Sequence, residues 1–148
     1  MCFILLALGR LLAIDYGKKR VGIAVTDPLQ LIATGLCTVA ASEVIAFLKA
    51  YFEKEKVDLV IVGLPKQMDN SQSESMRFIT PFLKQLTKHF PQMLVQTFDE
   101  RFTSKLAHQA IIDGGVKKMN RRDKSLVDMV SATIILQSYM QSKELRNF

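Results

Sequence analysis

The sequence is poor in the features that staple, anchor or export a chain. Its 148 residues hold two cysteines, Cys2 and Cys37, without C-x-x-C spacing. That gives neither a disulfide framework nor a zinc site and suits a reducing cytoplasm. No apolar run approaches the ~20 residues of a membrane span. The opening Cys2-Phe3-Ile4-Leu5-Leu6-Ala7-Leu8 has no basic segment before it, so it does not read as a secretory signal. Walker A, G-x-G-x-x-G and G-x-S-x-G patterns are missing, as are internal repeats and low-complexity stretches. The two histidines, His89 and His108, have no carboxylate or cysteine at ligand spacing, which favours helix-surface roles over metal binding. Acids are the scarcer charge: 14 Asp and Glu against 20 Lys and Arg leave +6, a surplus that points to an anionic partner.

What is present suits one domain. A chain with 49% hydrophobic and 23% charged residues of this length buries about two-thirds of its unfolded surface and needs no staple. The expected unit is 1–148. Within it, Met1–Gly9 reads as an extension of the first strand or a dispensable leader, because Arg10-Leu11-Leu12-Ala13-Ile14 repeats its apolar texture.

Residues 10–16 and 19–26 are β-rich runs joined by the turn Gly17-Lys18-Lys19, a hairpin signal. A third strand is expected over Leu31–Val39, after Asp27-Pro28. From Ser42, a candidate N-cap, apolar residues at Val44, Ile45, Leu48, Tyr51 and Phe52 predict a helix over 43–56. Val57–Val62 is a strand apolar enough to be buried on both faces, stopped by Gly63-Leu64-Pro65. Lys66–Ser75 is a polar loop. A helix follows from Met76, and Pro81 should kink or split it. Met93–Phe98 is the fifth strand. Thr103 or Ser104 caps a helix ending at Gly114-Gly115, and a last helix starts at Ser125. The order β-β-β-α-β-α-β-α-α predicts an α/β fold: a five-stranded mixed sheet, three strands antiparallel then two parallel, with helices on both faces. Ligands of such sheets collect at strand ends, where the strand order switches.

Three acids stand where a solvated face explains them poorly. Asp15 is the only acid in the first strand and lies at its end; the bland reading is a turn aspartate bound to backbone N–H groups. Glu100 follows the fifth strand and could simply pair with Arg101. Asp128 fits an S-x-x-D arrangement with Ser125 and could merely cap the last helix. Against these stands their combination, because the predicted winding lets all three converge on one rim. Converging carboxylates repel unless hard divalent cations lie between them. Two such ions ~4 Å apart activate a water and stabilise the leaving oxygen of a phosphodiester.

Four blocks in order carry a resemblance. Asp15-Tyr16-Gly17-Lys18-Lys19-Arg20-Val21-Gly22, Val62-Gly63-Leu64-Pro65-Lys66-Gln67-Met68-Asp69, Asp99-Glu100-Arg101-Phe102-Thr103-Ser104, and Lys124-Ser125-Leu126-Val127-Asp128 with Ser131–Leu136 resemble the YqgF family. This is a small bacterial branch of the RuvC/ribonuclease H-like nucleases, assigned to pre-16S rRNA processing or to Holliday junction resolution. The resemblance spans Arg10 to Tyr139. It implies a ribonuclease H-like fold, phosphodiester cleavage with Mg²⁺ or Mn²⁺, and Asp15, Glu100 and Asp128 as metal-holding catalytic acids. Asp99 adjoins Glu100 and should point oppositely on a strand, so the strand phase decides between them. The departures are the Met1–Gly9 extension, Asn70 after the Met-Asp pair, and Pro81, none of which touches the three acids.

The positive charge clusters near these blocks. Between Arg101 and Lys124 lie seven basic residues, Arg101, Lys105, Lys117, Lys118, Arg121, Arg122 and Lys124, against Asp113 and Asp123, which accounts for five of the six surplus charges. Such a loop suits phosphate binding, and Lys18, Lys19 and Arg20 would extend the surface. The plain alternative is a solvated loop. Phe98 and Phe102 could stack on bases, although core packing suits Phe98 better. The expected partner is structured RNA or branched DNA and not a membrane.

A junction resolvase is expected to dimerise, whereas a single-strand processing nuclease can act as a monomer or weak homodimer. Two other classes compete. Asp15, Gly17 and Gly22 also resemble the phosphate hairpin of actin-like ATPases and sugar kinases, which use two such domains where this length supplies one. An RNA-binding ribosome-assembly factor would keep the fold without turnover.

Overall fold

The computed structural model describes residues 9–64, 76–99 and 124–146. The chain forms β1 (Arg10–Tyr16), β2 (Arg20–Thr26) and β3 (Ala33–Ala40), then α1 (Val44–Lys54), β4 (Val57–Leu64), α2 (Met76–His89), β5 (Val95–Asp99) and α3 (Lys124–Arg146). The five strands make one mixed sheet in the order β3-β2-β1-β4-β5. β2 lies antiparallel to both β1 and β3, and β4 parallel to both β1 and β5. This is the α/β architecture the element order predicts.

Strand alternation divides the apolar residues between two cores. From β1 and β4, Leu12, Ile14, Val60 and Val62 pack against Val44 and Leu48 of α1 and Ile79, Phe82 and Leu86 of α2. Their neighbours Leu11, Ala13, Leu59 and Ile61 face Ala132, Ile135 and Leu136 of α3 on the other side. Burial on both faces is why β1 and β4 read as nearly unbroken apolar runs. With α1 and α2 over one face and α3 over the other, β1 sits at the centre, and its C-terminal end is covered by α3.

Several boundaries differ from expectation. β3 begins at Ala33 because the preceding turn is held by a side chain: the Asp27 carboxylate accepts backbone N–H groups of Leu29, Leu31 and Ile32 at 3.1, 2.8 and 2.8 Å. These bonds, that of Ile32 foremost, hold its pKa below the ordinary 3.8. Ser42 does not cap α1; a 3-10 turn over Ala41–Glu43 leads in, and the N-cap position is Glu43, without a side-chain cap bond. β4 continues through Gly63 and Leu64, which pair with Phe98 and Asp99 of β5. β5 starts at Val95 because Met93 turns back, its N–H donating to the Phe90 carbonyl at 3.0 Å. α2 runs on through Pro81. The ring lies on the exposed face, where the carbonyl of Arg77, deprived of its donor, can reach water. At the other end of the described chain, Gly9 is held by side chains, its N–H donating to Asp58 Oδ2 at 2.8 Å and its carbonyl accepting from Gln30 Nε2 at 2.7 Å. The rest of the Met1–Gly9 segment and the helix expected after Thr103 or Ser104 lie outside the described residues.

Candidate active site at the junction of β1 and α3

Asp15 is the second-last residue of β1. Because Leu11 and Ala13 face α3 while Leu12 and Ile14 face α1 and α2, alternation puts Asp15 on the α3 face. Its partner across β2 is Gly22. A Cβ at Gly22 would run into the backbone carbonyl of Asp128, so α3 rests there directly on the sheet. Gly22 is the reason the two aspartates share one small region. The seat extends to β3: a Cβ at Gly35 would come within 2.6 Å of Met129 Cγ, and Gly35 pairs with the buried Ala24 of β2. The Thr38 hydroxyl adds a tie, donating to the Ser125 carbonyl at 2.6 Å.

Asp128 does not serve as a helix cap. α3 already runs through Lys124 and Ser125, and Asp128 Oδ2 instead accepts from Arg20 Nε at 2.8 Å. The two side chains are 22% and 38% exposed respectively, so the ion pair is open to solvent on one side. Arg20 lies two residues before Gly22 and shares its face. The capping reading of the S-x-x-D pattern is thereby corrected, because the carboxylate found a tertiary partner 108 residues away.

The phase of β5 separates the adjacent acids of the third block. Val95 packs into the core under α1 and α2. Phe98 belongs to the α3 core, its ring 6.4 Å from that of Tyr139 in an edge-on contact. Asp99 therefore lies on the face opposite Asp15. Glu100 lies outside the described residues, as do Arg101, Lys117, Lys118, Arg121, Arg122, Phe102 and His108. Of the other expected cations, Lys18 and Lys19 are exposed at the β1–β2 turn and Lys124 is exposed at the start of α3. Lys18 Nζ stands 5.4 Å from the centroid of the Phe78 ring. His89 is exposed in the last turn of α2.

Among the described residues no group of three His, Cys, Asp or Glu side chains could hold a metal ion. Two are nonetheless brought to one rim, Asp15 and Asp128, and their hard oxygen donors suit Mg²⁺ or Mn²⁺. Two features escape a reading of the sequence: the Arg20–Asp128 pair and the role of Gly22. Gly22 had a signal, since glycine inside a strand marks close backbone approach. Arg20 had none, because its partner depends on how α3 packs.

Comparison with known proteins adds an independent finding. Residues 9–142 match the family described as RuvX: Holliday junction resolvase. A Phocaeicola vulgatus protein named “Putative pre-16S rRNA nuclease” is 59% identical over 137 residues, 93% of this chain and 99% of that one. Proteins of the same name from Christiangramia forsetii and Bacteroides thetaiotaomicron are 56% and 54% identical, covering 90% and 92% of this chain and 98% and 99% of theirs. Among solved structures, Archaeoglobus fulgidus Pelota aligns at a TM-score of 0.45 with 15% identity, over 78% of this chain and 36% of that one, a likeness too loose to bear on function.

Proposed function

The chain belongs to the RuvX Holliday junction resolvase family, whose fold is ribonuclease H-like, and from that premise we propose that it is a divalent-metal-dependent nuclease that trims the 5′ end of pre-16S rRNA. The observation that carries the reading is the meeting of Asp15 and Asp128 on one face of the sheet, with α3 seated on Gly22. The relatives' name supplies the RNA.

In this reading Asp15, Asp128 and Glu100 hold the metal, Mg²⁺ or Mn²⁺, as two ions. The phase of β5 turns Asp99 away from Asp15, which supports assigning the role to Glu100, the other acid of that block. When bound, the metal supplies a water acidified toward neutral pH and positive charge at the scissile phosphate. The chain's own residues do the rest. β1 and α3 fix the two aspartates on rigid elements, so their oxygens need little ordering when substrate arrives. Lys18, Lys19, Arg20 and Lys124, with Arg101, Lys117, Lys118, Arg121 and Arg122, hold the RNA backbone by its phosphates, which sets position without reading sequence. The proposed setting is the bacterial cytoplasm, and a monomer or weak homodimer suffices for a single-strand cut. No helix among the described residues is long and apolar enough to cross a membrane.

The test is cleavage of a labelled RNA spanning the 16S 5′ leader, beside a four-way DNA junction, with Mg²⁺ or Mn²⁺. Asp15→Asn and Asp128→Asn are each expected to slow RNA cleavage by at least about 100-fold, since losing even an outer partner of a metal ligand costs 10–100-fold. Equal rates in wild type and both variants would refute a nuclease centred on these acids. Cutting confined to the junction would make the chain a resolvase, and RNA binding without cleavage an assembly factor.

A further inference from the structure

Asp128 already has a cationic partner within the chain. The Arg20 guanidinium donates to it from 2.8 Å, from the same face of the sheet as Asp15. Two carboxylates gathered under one helix end repel each other unless a cation stands between or beside them. Among the described residues, Arg20 is paired with Asp128 as such a cation. Its backbone is fixed, since the Arg20 carbonyl accepts the Gly17 N–H at 2.9 Å to close the β1–β2 turn. Its side chain is 38% exposed, so solvent reaches the ion pair from one side.

We propose that Arg20 is the built-in counter-ion of Asp128: it holds the carboxylate while no divalent cation is bound, and releases it to grip a substrate phosphate when one is. The inference rests on the reading of Asp128 as a metal-holding acid. Three features fit the exchange. An ion pair open to solvent is weak enough for a divalent cation to displace. Guanidinium matches carboxylate and phosphate oxygens equally well, so Arg20 can pass between them. Its fixed backbone keeps it beside the acids, so the released guanidinium stays within reach of a phosphate lying over them.

A structural tie would behave differently. If Arg20 only orients Asp128, removing it weakens metal binding; if it competes for the carboxylate, removing it strengthens binding. Mn²⁺ titration by calorimetry, without nucleic acid, compares the wild type with Arg20→Met, Asp128→Asn and Lys19→Met. Lys19→Met removes the same charge from the neighbouring residue, which is exposed. Arg20→Met is expected to tighten Mn²⁺ binding roughly two- to five-fold, the factor an exposed ion pair confers, and Lys19→Met by less than half that much. Arg20→Lys keeps the charge without the planar fork and should fall between wild type and Arg20→Met; it decides the comparison if the methionine variant does not fold.

Unchanged or weaker binding in the Arg20 variants overturns the counter-ion role, as does equal tightening by Lys19→Met. Asp128→Asn tells the two failures apart. If it binds Mn²⁺ like the wild type, or if the wild type binds none, the metal-site reading falls and the inference with it. If it binds at least tenfold more weakly while Arg20→Met does not tighten, the inference alone is refuted.

Discussion

The residue on which the site turns is Gly22, which has no side chain. An alanine there must push its Cβ into the Asp128 carbonyl, and a backbone atom cannot rotate away as a side chain can. Gly22→Ala is expected to lower stability by roughly 1–3 kcal/mol, the usual cost of overpacking, with a matching fall in the urea midpoint and loss of nuclease activity as α3 lifts. Gly35→Ala meets the Met129 side chain instead and should cost less. Equal, negligible costs would mean that α3 is not seated as described. At this scale the sequence was informative about types and poor about partners. Asp15 could be singled out because it is the only acid in a strand otherwise destined for the core. The pairing of Arg20 with Asp128 could not, because an ion pair across 108 residues is set by helix docking and leaves no local pattern. Burial pushes the Cys37 thiol up, which lowers the share of reactive thiolate.

Among the elements, β1, β2, β4 and α1 were legible almost to their ends, since the near-continuous apolar runs of the strands and the helical spacing of α1 are enforced by the two cores they fill. The departures have separate local causes. Asp27 holds the turn before β3, a 3-10 turn replaces the Ser42 cap, and Pro81 sits within α2 without ending it. Helix α2 tolerates the ring because Ile79, Phe82 and Leu86 bury its inner face, while Pro81 lies outside and forfeits one backbone bond, to the Arg77 carbonyl. Restoring that donor should therefore help. Pro81→Ala is expected to stabilise the protein by roughly 1–3 kcal/mol, up to the interior penalty of proline, read as a higher urea midpoint with an unchanged slope. A loss of stability would show that the turn from Arg77 to Pro81 is shaped around the ring.

For the molecule as a whole, most of the surplus of +6 falls in one stretch of the sequence. The sheet presents the ends of β1, β4 and β5 on one side, because all three run parallel, and the basic window from Arg101 to Lys124 joins the end of β5 to the start of α3 in the sequence. Five of the six surplus charges fall in that connection, between the second and third proposed acids. A segment that grips phosphates differs from a solubilising loop in its response to salt, since each phosphate contact releases counterions on binding. Replacing Lys117, Lys118, Arg121 and Arg122 together by alanine is expected to weaken single-stranded RNA binding and to flatten the plot of log affinity against log salt by about three units, some 0.7 per lost contact. Asp15→Asn, by contrast, should leave that slope close to the wild-type value while removing cleavage. The pair of variants separates holding from cutting. If the quadruple variant keeps both affinity and slope, the phosphates are held elsewhere, and the exposed Lys18, Lys19 and Lys124 become the residues to replace next.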